Sequence, residues 1–203
     1  MNKVKICGLF RAEDITAVNN ILPDYIGFVF TQSRRIVDVE TAAALKKKLD
    51  PRIKAVGVFV NEDIAVVCEI YRNGIIDLVQ LHGDEDDRYI KQLKNVCDCQ
   101  IIKAVCIGDM LPPLPVEPDY LLFDTLSTQR GGIGRAFDWN ILKEYRGLPY
   151  FLAGGLSPDN VADAIGLLSP FCTDVSSGVE TDGIKDAAKI EKFVNMTRRK
   201  PNE

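Results

Sequence analysis

Eight short apolar runs, each followed by a more polar stretch, repeat along this 203-residue chain. The runs are Val4–Leu9, Tyr25–Phe30, Ile53–Val60, Asp77–Gly83, Ile101–Ile107, Tyr120–Leu126, Tyr150–Gly155 and Cys172–Gly178. Most are continuously apolar rather than alternating, the pattern of parallel strands covered on both faces. The intervening stretches carry apolar residues at helical spacing, as in Ile15, Val18 and Leu22, in Ile64, Val67, Cys68 and Tyr71, and in Ile190, Phe193 and Val194. Strands alternating with helices make βαβ units and a parallel sheet. Eight such units predict a closed (β/α)₈ barrel formed as one catalytic domain over residues 1–203, near the lower size limit of that fold. An open doubly wound sheet would want a glycine-rich first loop, and Cys7-Gly-Leu-Phe-Arg-Ala holds one glycine.

One connection breaks the repeat. Leu111-Pro-Pro-Leu-Pro-Val-Glu-Pro118 cannot continue a helix, because proline lacks the donor and clashes with the preceding turn. The fifth helix is therefore expected to be missing or vestigial. Trp139, Leu142 and Tyr145 predict a normal helix after the sixth strand.

Two runs end in glycine and serine: Phe151-Leu-Ala-Gly-Gly-Leu156 and Asp174-Val-Ser-Ser-Gly-Val-Glu180. Glycine leaves backbone N–H groups unobstructed, and two such loops on adjacent strands form a cup of donors suited to phosphate. In this barrel class a phosphate site often follows strands 7 and 8. The expected donors lie at Gly154, Gly155, Ser176, Ser177 and Gly178. Chemistry in such barrels sits at the C-terminal strand ends. Those ends offer Cys7, Arg34, Arg35, Asn61, Gln80, His82 and Asp124. Each has a plainer alternative: Cys7 as filler, Asp124 as a loop anchor, Gln80 and His82 as hydrogen-bonding partners at the mouth, Arg35 as a surface residue. Their joint placement opposite a phosphate cup favours an enzyme. One acid and one base around a phosphate-anchored small molecule point to proton transfer, hence isomerisation.

The net charge of −4 without a basic stripe argues against nucleic acid or an anionic membrane as partner. No apolar run is long enough to span a bilayer, and the chain enters a strand at once, so a cytoplasmic protein without signal peptide is expected. The six cysteines are then thiols. Cys97-Asp-Cys99 is the only close pair and has no further ligands nearby in sequence, so no metal site is expected. Cys68, Cys106 and Cys172 read as packing residues.

The motifs in order resemble one family. They are Val-Lys-Ile-Cys-Gly (4–8), Gly-Phe-Val-Phe (27–30), Ser-Arg-Arg (33–35), Val-Gly-Val-Phe-Val-Asn (56–61), Val-Gln-Leu-His-Gly (79–83) and Leu-Phe-Asp-Thr (122–125). Gly-Gly-Ile-Gly-Arg-Ala-Phe-Asp-Trp (131–139), Leu-Ala-Gly-Gly-Leu (152–156), Asp-Val-Ser-Ser-Gly-Val-Glu (174–180) and Gly-Ile-Lys-Asp (183–186) follow. Together, nearly end to end, they resemble the phosphoribosylanthranilate isomerases of tryptophan biosynthesis. The resemblance implies an Amadori rearrangement without a cofactor, in which Asp124 matches the general acid and Cys7 the general base. It implies that Arg35, rather than Arg34, meets the anthranilate carboxylate, with Gln80 and His82 beside the substrate. Two other readings remain: a related phosphosugar barrel enzyme, or a non-catalytic binder of phosphorylated metabolites. The expected partner is a small phosphosugar, and the chain is expected to act as a monomer or homodimer.

Overall fold

The computed structural model describes residues 2–126 and 137–199. Of the motifs above, the Gly131–Ala136 portion lies outside the described residues. Eight parallel strands close in chain order: β1 (Lys3–Cys7), β2 (Tyr25–Val29), β3 (Lys54–Phe59), β4 (Leu78–Leu81), β5 (Gln100–Ile107), β6 (Tyr120–Thr125), β7 (Tyr150–Leu152) and β8 (Cys172–Val175). β8 pairs back onto β1, with Lys3 opposite Cys172 and Lys5 opposite Asp174. The predicted (β/α)₈ barrel is thus the observed fold. Outside it run α1 (Ala12–Ile21), α2 (Val39–Lys46), α3 (Ile64–Arg72), α4 (Asp87–Val96), α5 (Val161–Leu168) and α6 (Ala187–Arg198). Aspartate side chains cap α2, α3, α4 and α6, satisfying N–H groups of the first turn.

No helix forms over residues 108–119, as the prolines there require. The helix expected after β6 is a different matter. Among the described residues between β6 and β7 there is a single 3₁₀ turn, Trp139–Leu142. The Tyr145 hydroxyl donates to the Leu148 carbonyl at 3.0 Å, and its ring folds against Gly147, so the chain turns into β7 before a second helical turn can form. A short antiparallel hairpin of β9 (Glu180–Thr181) and β10 (Ile184–Lys185) follows β8 and was not expected.

Two apolar layers follow from the period-2 alternation of the strands. Outward residues such as Val4, Ile6, Ile26, Phe28 and Phe123 join the helices in one core. Inward residues Tyr25, Val56, Leu78, Ile102, Leu122, Phe151 and Cys172 fill the barrel. Tyr25 and Tyr120 meet Phe151 edge-on with centroids 5.5 and 5.7 Å apart, and Tyr120 stacks on Phe171 at 5.0 Å. This aromatic layer seals the N-terminal end, so the open mouth lies at the C-terminal end of the strands. Phe151 is fully buried at the centre of that layer. Phe151→Ala should cost about 3–5 kcal/mol in chemical denaturation. Met110→Ser, on the exposed β5–β6 connection, should stay within about 0.5 kcal/mol.

Candidate active site

The mouth is built from alternate inward positions carried one step further. On β1 the inward sequence is Lys5 then Cys7; on β4 it is Leu78, Gln80, then His82; on β6 it is Leu122 then Asp124; on β8 it is Asp174 then Ser176. Cys7 stands opposite Gly27 in the strand register. A Cβ on Gly27 would come within 2.7 Å of the Cys7 sulfur, so β2 leaves the space that the thiol occupies. Burial pushes the Cys7 thiol above its ordinary range, while Lys5 and Lys185 act in the opposite direction.

Asp124 is oriented from two sides. Its Oδ1 accepts the Thr125 N–H at 2.7 Å, and His82 Nε2 lies 3.5 Å from its Oδ2. His82 Nδ1 faces the Gln80 amide nitrogen at 2.9 Å. An amide nitrogen only donates, so Nδ1 accepts and the proton of a neutral ring sits on Nε2, towards Asp124. Gln80 and His82 therefore form one line that ends on Asp124. Gly154, at φ 79°, closes the other flank; a Cβ there would lie 2.7 Å from the Thr125 nitrogen and 3.1 Å from Asp124 Oδ1. Cys7 and Asp124 stand on β1 and β6, three steps apart around the eight-strand ring.

The loops after β7 and β8 lie against each other at the mouth. Gly154 and Gly155 both take left-handed backbone angles, and Gly178 packs on the Leu156 carbonyl so closely that a Cβ would sit 2.0 Å from its oxygen. Among the described residues, the N–H groups of Gly154, Gly155, Ser177 and Gly178 have no acceptor. Four unpaired donors at one edge of the mouth fit a phosphate. The Ser176 side chain is engaged elsewhere: its hydroxyl donates to the Cys7 carbonyl at 3.0 Å and lies 3.3 Å from Lys185 Nζ.

Arg35 has an internal partner that the sequence reading lacks. Its Nε and Nη2 reach Glu180 Oε1 and Oε2 at 2.7 and 3.0 Å. Arg34 and Lys185 meet the same carboxylate at 2.8 and 2.7 Å. Burial opposes the Glu180 charge, but its bonds to Arg35 and Lys185 outweigh that and hold the carboxyl below its ordinary range. Burial likewise lowers Lys185. One carboxylate among three cations leaves this corner of the mouth positive. The stem of Arg35 crosses Gly8, where a Cβ would lie 2.4 Å from it. Arg35 thus spans from the β2 loop over the end of β1 to the hairpin after β8.

Sequence reasoning missed Asp174, Glu180 and Lys185. Lys5 is fully buried and its ammonium meets Asp174 Oδ2 at 2.7 Å. The signal was available: a lysine at an inward strand position demands a counter-charge, and alternation on β8 turns Asp174 inward. Cys106, read as a packing residue, is exposed instead; it shares the inward face of β5 with Ile102 and Ala104 and pairs in register with Asp124, so it opens onto the mouth.

Comparison with known proteins bears on this mouth. The family model for N-(5′phosphoribosyl)anthranilate (PRA) isomerase matches residues 4–196. An N-(5′-phosphoribosyl)anthranilate isomerase of Endomicrobium trichonymphae is 48% identical over 199 residues, covering 98% of this chain and 99% of the relative. The crystal structure of the phosphoribosyl anthranilate isomerase from Thermotoga maritima superposes with a TM-score of 0.85 at 33% identity, covering 98% and 99% of the two chains. A phosphoribosyl anthranilate isomerase in complex with reduced 1-(o-carboxyphenylamino)-1-deoxyribulose 5-phosphate gives 0.82 at 31% identity, with the same coverage.

Gly178→Ala should force the two glycine loops apart. Inorganic phosphate, titrated calorimetrically, should then bind at least about tenfold more weakly. Unchanged phosphate affinity would place the anion site elsewhere.

Proposed function

Because this chain belongs to the N-(5′-phosphoribosyl)anthranilate isomerase family, we infer that it converts N-(5′-phosphoribosyl)anthranilate to 1-(2-carboxyphenylamino)-1-deoxyribulose 5-phosphate. This is an Amadori rearrangement, aldose to ketose, in tryptophan biosynthesis. The observation that carries the reading is the mouth itself: a thiol and an oriented carboxylate on opposite strands beside a cup of unpaired backbone donors.

The chemistry assigns a role to each group. The phosphate lies on the N–H groups of Gly154, Gly155, Ser177 and Gly178, which hold an anion without spending a side-chain charge. Asp124 gives a proton to the furanose ring oxygen; the C1–O bond breaks and the nitrogen lone pair forms a Schiff-base cation. His82 and Gln80 keep that carboxyl facing the sugar. Cys7 then removes the proton from C2, and the C2–H electron pair forms the enolamine double bond as the cation is neutralised. Transfer of the enol proton and protonation at C1 give the ketone. The substrate nitrogen is the electron sink, so the residues need only move protons. Each transfer contributes roughly 10²–10⁴-fold. Arg35 is assigned to the anthranilate carboxylate. Glu180 uses its Nε and Nη2 and leaves Nη1 without a partner among the described residues.

The substrate places the enzyme among small-molecule phosphosugar isomerases. No helix is long and apolar enough to cross a membrane among the described residues. The cytoplasm, where this pathway's intermediates are made, is the proposed location. A monomer or homodimer is the proposed assembly.

Turnover of phosphoribosylanthranilate by the purified protein, followed by loss of substrate fluorescence, tests the function directly. Cys7→Ser and Asp124→Asn should each lower kcat by about two decades or more and leave binding of a reduced product analogue largely intact. Since burial raises the thiol, the thiolate forms only as pH climbs, and the base-dependent rate should rise with pH. Near-full turnover in Cys7→Ser would remove the thiol from the mechanism.

Arg35→Lys should damage activity more than Arg34→Lys. Arg35 is the better covered of the two and grips Glu180 at two points, which a single ammonium cannot reproduce; Arg34 is 60% exposed and makes one contact. Steady-state KM and kcat of the two variants decide it, and the reverse order would transfer the role to Arg34.

A further inference from the structure

We propose that Lys5 is a positioning residue for the base step: its buried ammonium, locked in place by Asp174, is the counter-charge against which the Cys7 thiolate forms. The proposal rests on the reading of Cys7 as the base.

Lys5 and Cys7 are two apart on β1, so their side chains share the inward face at a spacing of roughly 7 Å along the strand. A lysine stem covers that length. Lys5 has no solvent access, and Asp174 Oδ2 fixes its ammonium at 2.7 Å. The other carboxylate oxygen, Oδ1, is buried and has no partner among the described residues, so Lys5 is the only tie on Asp174. The thiol in turn has room only because β2 places Gly27 beside it.

The charges around the thiol can be taken element by element. Its own strand supplies Lys5, β8 supplies Asp174, and β10 supplies Lys185. β2 offers Gly27 and no charge at that level, and the Arg35 guanidinium in the following loop is engaged by Glu180. Asp124 and His82, on the far side of the mouth, act on Asp174. Two cations, Lys5 and Lys185, therefore favour the Cys7 thiolate, while Asp174 and burial oppose it. In the base step the sulfur takes the C2 proton, an S–H bond forms, and a thiolate becomes a neutral thiol. Lys5 keeps its charge throughout, because burial works against the ammonium but Asp174 more than compensates.

The test is the pH dependence of Cys7 alkylation by iodoacetamide, resolved by residue with mass spectrometry and run without substrate. In Lys5→Met the Cys7 curve should move up by at least about one pH unit, with the kcat profile following and KM little changed. The exposed Cys106 serves as the internal control and should not move. Lys5→Gln keeps a hydrogen-bond donor for Asp174 and removes the charge, so its Cys7 curve should move up as well; this variant decides the matter if Lys5→Met does not fold. An unmoved Cys7 curve in folded Lys5→Met or Lys5→Gln overturns the proposal. Shifts as expected in a protein that does not turn over phosphoribosylanthranilate would uphold the charge coupling and defeat the functional reading instead.

Discussion

Closure of β8 onto β1 is the constraint on which the rest of this structure depends. It joins residues separated by nearly the whole chain: Lys5 and Asp174 are 169 positions apart and meet at 2.7 Å. Until that seam forms, Lys5 lacks its counter-charge, Cys7 lacks its place opposite Asp124, and the glycine loop after β8 has no partner at the mouth. A buried ion pair is weak evidence of net stability, since desolvating both charges offsets most of their attraction. Breaking one partner is costly, because the other is left as an uncompensated buried charge. The pair therefore fixes how the barrel closes more than how firmly it holds.

Around this seam the mouth is tied together by charge and by the absence of side chains. Arg35, Glu180, Lys185 and Ser176 form a chain of contacts from the β2 loop, through the hairpin, to the loop after β8, and the Ser176 hydroxyl ends it on the Cys7 carbonyl. The two ends of the proposed site, the β2 loop and the loop after β8, are linked in this way. Glycine provides the complementary half. Gly27 makes space for a thiol, Gly154 for a carboxylate and Gly178 for a neighbouring carbonyl. A methyl group at any of the three would crowd the Cys7 thiol, the Asp124–Thr125 segment or the Leu156 carbonyl.

The lower half of the barrel is built differently. Tyr25, Tyr120, Phe151 and Phe171 form an aromatic floor, and the Lys3 ammonium lies over the Phe171 ring at 4.6 Å. Buried aromatic area stabilises this end without unpaired polar groups. The chemistry is confined to the opposite rim, where the strands end and polar side chains reach water.

Much of this was legible in the chain itself. Continuous apolar runs identify buried parallel strands, their number closes the barrel, and four prolines delete the fifth helix, because each of these signals is local. Strand-end position singled out Cys7, His82, Asp124 and the glycine loops by the same logic. What was not legible depends on contacts between distant segments. The helix expected after β6 shrank to one 3₁₀ turn because Tyr145 folds back on Gly147 and Leu148. The Arg35 fork was read as open, yet Glu180 occupies two of its donors from a hairpin that apolar periodicity cannot reveal. The order of strands, their inward faces and the residues at their ends were decided by sequence alone. Only the closed structure decided which charges neutralise one another, because the register between β1 and β8 is a property of neither strand by itself.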